Sequence, residues 1–173
     1  MSSITALSRK IAENGIAPIE VFRVVSMTLS QFSSTDLLPQ LRGGNLLRLA
    51  PDREGCLILC KPYQADLLGP GAAVGGVLDF DCFEAIAIGD VAVVHPQDYH
   101  ERSQSLTTRH LWQSYKQKLL DCQRFPMQRA IGILNLLRQY FETDDIVQQI
   151  PDRALALLVG VLPQTIAAAR LQK

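Results

Sequence analysis

The feature that most constrains the fold is a change of pattern partway along the chain. From Leu37 to about Val94, short runs of Leu, Ile, Val and Cys are separated by turn residues: Gly43-Gly44, Glu54-Gly55, Gly69-Pro70-Gly71, Gly75-Gly76 and Gly89-Asp90. After His95-Pro96 the pattern becomes helical and stays so. Runs such as LLRLA, CLILC and AIAI lie too close together to leave room for the crossover helices of a parallel sheet. They predict an antiparallel β-roll or jelly-roll, followed by helices, in an α+β protein. The first thirty-odd residues, with Ile4, Leu7, Ile11, Ile19, Phe22, Val25 and Leu29 at helical spacing, predict two short helices.

Composition narrows the classes. At 173 residues and 47% hydrophobic, the chain is long enough to bury a core and falls outside the disordered and fibrous classes. Its 17 Lys and Arg balance 17 Asp and Glu, so any argument from charge must be regional. The opening MSSITALSRKIAENG has no uninterrupted apolar stretch of the signal-peptide kind, and no apolar run approaches the ~20 residues needed to cross a bilayer. A cytoplasmic protein without a membrane span is expected. Cys56, Cys60, Cys82 and Cys122 show neither a CxxC nor zinc spacing. In a strand Cys56 and Cys60 share a face but sit roughly 13 Å apart, too far to chelate one ion. The four are read as reduced core thiols.

Among the helices, Leu111, Tyr115, Lys118, Cys122 and Phe125 approximate a heptad seam, flawed by Lys118. A dimerisation helix and a surface helix both fit. Phe125-Pro126 breaks it and opens a second helix, PMQRAIGILNLLRQYF, apolar around most of its circumference and so expected to be buried.

The segment PDRALALLVGVLPQTIAAARLQK has the residue order of a helix-turn-helix. Ala156 is small enough for a second helix to approach, Gly160 supplies the turn, and Leu155, Val159, Val161, Ile166 and Ala169 join the pair. Asp152 is placed to cap the first helix, and Pro163 suits the first turn of the second. A plain helical hairpin shares part of this pattern.

Three stretches together resemble the Crp/Fnr family of transcription regulators. LLGPGAAVGG, from Leu67 to Gly76, is similar to the family's glycine-containing turn at the ligand cassette. FEAIAIGDVAVVHPQDYHE, from Phe83 to Glu101, is similar to the last strands of its β-roll and the entry to its long helix. PMQRAIGILNLLRQYF with the following pair is similar to its core helix and DNA-reading unit. Their order along residues 37–173 carries the resemblance. It implies a helical segment over 1–35, a cyclic-nucleotide-binding-like roll over 36–105, a connecting or dimerisation helix over 106–125 and a helix-turn-helix domain over 126–173. It also implies a homodimer that binds DNA.

The departures are specific. Where the family's cyclic-nucleotide binders resemble a Gly-Glu pair followed by Arg, this chain has Gly76 at the Glu position and no arginine between Arg53 and Arg102. The pairing a cyclic phosphate wants is missing, so no response to cAMP is expected, and Gly71, Gly75 and Gly76 remain as an effector turn without a defined ligand. No cysteine precedes Cys56, and His95, His100 and His110 are isolated, so no iron–sulfur, haem or other cofactor is expected. The recognition stretch reads Pro163, Gln164, Thr165, Ile166, Ala167, Ala168, without the family's arginines. Gln164, Thr165 and Arg170 are the candidates for the groove, and Arg153 and Lys173 for phosphate. The family's wing would begin where the chain stops, at Lys173, so both ends look trimmed.

From His110 to Lys173, eight Lys and Arg face five Asp and Glu, a surplus of three that permits DNA without requiring it. The competing reading is a degenerate relative serving as a protein-interaction or adaptor module. An enzyme would have to recruit Asp79, Asp81, Cys82, Glu84 or His95, and no nucleophile–base pair or phosphate-cradling loop stands out among them.

Overall fold

A computed structural model describes residues 34–121, 123–141 and 144–172. The expected helices before residue 34 lie outside the described residues. The rest is α+β, with two small antiparallel sheets and several helices.

The chain enters through helix α1 (Ser34–Arg42), which corrects the strand-like reading of the segment from Leu37. Leu37 and Leu41, one turn apart, are both buried, and this i, i+4 pair is a helical signal. Strands β1 (Leu46–Leu49), β4 (Ala73–Gly75) and β6 (Val93–Val94) form one sheet in the order β4-β1-β6. Strands β2 (Cys56–Cys60), β3 (Ala65–Leu68) and β5 (Glu84–Ile88) form the other, in the order β3-β2-β5, with Ile58 opposite both Leu67 and Ile86.

Strand alternation explains how these sheets are layered. Along β2, Leu57 and Leu59 join a cluster with Leu41, Leu47, Leu49 and Val74, whereas Cys56, Ile58 and Cys60 join the helices of the C-terminal half. A strand buried on both faces has no polar alternation to display, hence the unbroken CLILC. The β3-β2-β5 sheet is thus a middle layer, with the first sheet and α1 on one side and helices on the other. Burial pushes the Cys56 and Cys60 thiols up to about 12 and that of Cys82 to about 11, so all three stay protonated. Cys122 lies outside the described residues.

The long helix α2 (Tyr99–Asp121) begins well before residue 106. Its start is written in the D-x-x-E of Asp98–Glu101: the Asp98 carboxylate accepts from the Glu101 amide at 2.7 Å, and Glu101 accepts from the Gln97 amide at 2.7 Å. Arg48 of β1 adds an ion pair to Glu101 at 2.8 Å. The seam residues do not share one exposed face. Tyr115 packs against the main core while Lys118 and Phe125 are exposed. Trp112 lies so close to Gly69 that a Cβ there would fall 2.0 Å from the indole.

Helices α3 (Pro126–Phe141), α4 (Asp144–Gln149), α5 (Asp152–Val159) and α6 (Pro163–Leu171) complete the chain. Pro126 and Pro163 each occupy a first turn, as their missing amide favours. Ile133, Leu134, Leu137, Leu155 and Ile166 are buried in the same cluster as Ile58 and Leu67, so these helices share one core with the middle sheet. None of the described helices alone is long and apolar enough to cross a membrane.

Candidate functional site

Two places concentrate the residues singled out in the sequence. The first is the α5–α6 pair. Helix α5 ends at Gly160, whose φ of 63° and ψ of 48° lie in the left-handed region that an L side chain enters only at a cost. The Gly160 amide donates to the Ala156 carbonyl, and Val161 donates to the same oxygen at 3.1 Å, closing the helix. Between the two helices the axis turns by 107°. Leu155, Ala156 and Val159 of α5 are buried with Ile166 and Ala169 of α6, and α3 packs beneath both. Gly160→Ala is therefore expected to lower stability by about 1–2 kcal/mol through backbone strain alone, since a Cβ there would come no closer than 3.9 Å to its nearest neighbour, Arg129. Chemical denaturation measures this, with Gly160→Asn expected to lose less.

Helix α6 turns Ile166 and Ala169 inward and leaves Gln164, Ala167, Ala168 and Leu171 exposed. Thr165 is half-buried. Arg170 does not point to open solvent. Its side chain is 12% exposed, and it donates to Asp152 at 2.7 Å, the Val147 carbonyl at 2.9 Å, the Gln148 side chain at 3.1 Å and the Ile150 carbonyl at 2.6 Å. It thus donates to carbonyls at and just past the C-terminal end of α4, where Val147 accepts one further bond, from the Ile150 amide at 3.4 Å, and clamps α4, α5 and α6 together. The expected cap at Asp152 is corrected accordingly: Pro151 holds the N-cap position, no side chain caps it, and Asp152 is spent on Arg170. Arg153 lies over the ring of Phe83, 4.8 Å from its centroid, tying α5 to the β region. Lys173 lies outside the described residues.

The second place is the glycine turn. Gly71, Gly75 and Gly76 all have positive φ, at 78°, 81° and 61°, and flank β4. At Gly75 a Cβ would come within 3.0 Å of the Asn45 carbonyl, so the turn tolerates no side chain there. Its amide donates at 2.7 Å to the carboxylate of Asp79, which is 0% exposed. Asp79 also receives a two-pronged bond from Arg109 of α2, at 2.7 and 2.8 Å, and an ion pair from Lys61 at 3.2 Å. Arg109 reaches further to Asp66 at 3.1 Å and to the Ala73 carbonyl at 3.1 Å, and Lys116 pairs with Asp66 at 3.3 Å. The turn's inward-facing donor is therefore satisfied by the chain's own carboxylate. Burial alone would raise the Asp66 carboxyl, but Lys116, Lys61 and Arg109 outweigh it and hold it below the ordinary carboxylate value.

Local pattern could not find this cluster, because the ion pairs that tie α2 to β3 and to the turn after β4 span 30 to 50 residues of sequence. One signal was available. Ser105, Arg109, Trp112 and Lys116 fall on one helical face, and that face is the one turned inward. Asp79, one of the residues an enzyme would have to recruit, is buried and fully engaged, while Asp81 stays half-exposed 3.9 Å from Lys61.

No family model, curated protein or solved structure matches the chain.

Proposed function

We propose that the chain is a DNA-binding regulatory protein of the Crp/Fnr kind, acting through α5 and α6 as a helix-turn-helix. The observation that carries this reading is the α5–α6 pair itself: a 107° turn over three residues, a left-handed Gly160 and a second helix whose outer face is open. The order of elements supports it too, with antiparallel strands, a long helix and then the helical unit. In this reading α6 enters the major groove, Gln164 reads base edges with Thr165 beside it, and Arg153 and Lys173 serve phosphates. A homodimer would present two such helices to a two-fold symmetric site. Gly71, Gly75 and Gly76 would then shape a turn that needs no cAMP, because Asp79 already occupies the Gly75 amide.

An Ala167→Asp change tests this directly. Ala167 is exposed, so the carboxylate should leave the melting temperature unchanged while lowering affinity for a mixed-sequence duplex on the order of tenfold or more. Unchanged binding would put α6 outside the interface and sink the reading.

One observation favours a second reading, a protein-interaction module. The outward face of α6 carries no charge, and Leu162 and Leu171 beside it are 68% and 85% exposed. Such a face suits an apolar partner surface better than a phosphate backbone.

A further inference from the structure

With Arg170 held in its clamp, the helix pair has lost one of its candidate cations for DNA, and α3 supplies another beside Arg153 and Lys173. Arg129 stands beside the α5–α6 turn, with a guanidinium nitrogen 3.9 Å from the point where a Cβ on Gly160 would sit. Its Nε is buried without a hydrogen-bond partner, and no ion pair among the described residues includes it. The contrast with its neighbours is chemical. Arg170 makes four protein contacts and Arg138 pairs with Asp144, whereas Arg129 has no acidic partner among the described residues.

Nε is buried but the residue as a whole is half-buried, so its guanidinium stands at the edge of the turn with a charge left over for an external anion. The location says what that is. The N-terminal residues of a recognition helix meet base edges, so the turn just before them lies at the rim of the groove, where the phosphates run. We infer that Arg129 is a phosphate-binding residue of the helix pair, contacting the DNA backbone beside the Gly160 turn. This rests on the DNA-binding reading. It assigns Arg129 to affinity rather than to sequence choice, because phosphate contacts are the same whatever the bases.

The test is the salt dependence of binding to two mixed-sequence duplexes of different base composition, for the full chain, Arg129→Gln and Arg129→Lys. Arg129→Gln should flatten the slope of log affinity against log salt by about one, so that between about 50 and 200 mM salt the parent chain loses three- to fourfold more affinity than the variant. The loss should be equal on both duplexes, and Arg129→Lys should keep the parent slope. A parent chain that binds neither duplex overturns the DNA reading and this inference together. Parent-like slopes for Arg129→Gln, with binding intact, overturn this inference alone. Should Arg129→Gln fail to fold, a flattened slope in Arg129→Lys, which keeps the charge, would also overturn it.

Discussion

Asp79→Ala is expected to destabilise the protein by about 3–5 kcal/mol, the usual consequence of removing one partner from a buried ion pair. The change strips Arg109 of its two-pronged acceptor and leaves the Gly75 amide and Lys61 without that carboxylate. Arg109 cannot shed its charge, and it sits 4% exposed between α2 and the strands. Most of the loss is thus the cost of a buried cation cluster left with Asp66 in place of two buried carboxylates, which the double variant Asp79→Ala, Arg109→Met should largely restore. Urea denaturation of the two variants separates these outcomes. A single variant as stable as the parent would mean that α2 does not depend on the cluster. Asp66 gives the same cluster a pH signature. Its carboxyl is depressed in the folded state, so its share of stability is complete above the ordinary carboxylate value and disappears as pH falls through the lowered one. Loosening of α2 should therefore begin only in acid.

Arg170→Met is expected to cost about 2–3 kcal/mol, since it withdraws a charged donor from the carbonyls of Val147 and Ile150 and from Asp152 at once. Methionine keeps much of the stem's packing, so the loss reports the hydrogen bonds rather than a cavity. The salt slope of DNA binding should be unchanged in this variant, because the guanidinium faces the protein. Arg170→Met with parent stability and a flattened slope would instead return Arg170 to the groove, where the family resemblance had it. Together with Arg129→Gln, this variant separates the arginine that builds the helix pair from the one proposed to meet DNA.

How far the sequence could be read depended on the range of the interactions involved. CLILC, AIAI, PMQRAIGILNLLRQYF and the Pro163 turn were legible because periodicity and turn chemistry act within a few residues, and each coincides with an observed element. The α1 helix was missed where Leu37-Leu38 looked like the start of a strand run, although Leu41 completes a helical face. The cap assigned to Asp152 failed because a residue 18 positions away, Arg170, holds its carboxylate. Arg109 escaped notice for a related reason. A polar face on a helix normally faces water, and here Asp66 and Asp79, with the Ala65 and Ala73 carbonyls, all far away in sequence, turn it inward. The candidate site was thus visible as a pair of helices with a glycine turn, while which of its arginines remain available was visible only in three dimensions.

The central claim, that α5 and α6 form a DNA-binding unit, is tested most directly by titrating the 173-residue chain into a pool of genomic DNA fragments. The titration is run at low and at physiological salt, and the bound fragments are sequenced. The account predicts enrichment of a shared, two-fold symmetric sequence that persists at the higher salt and is lost with Ala167→Asp. Binding that is absent, or that vanishes with salt and selects nothing, would contradict it and leave the uncharged face of α6 to a protein partner.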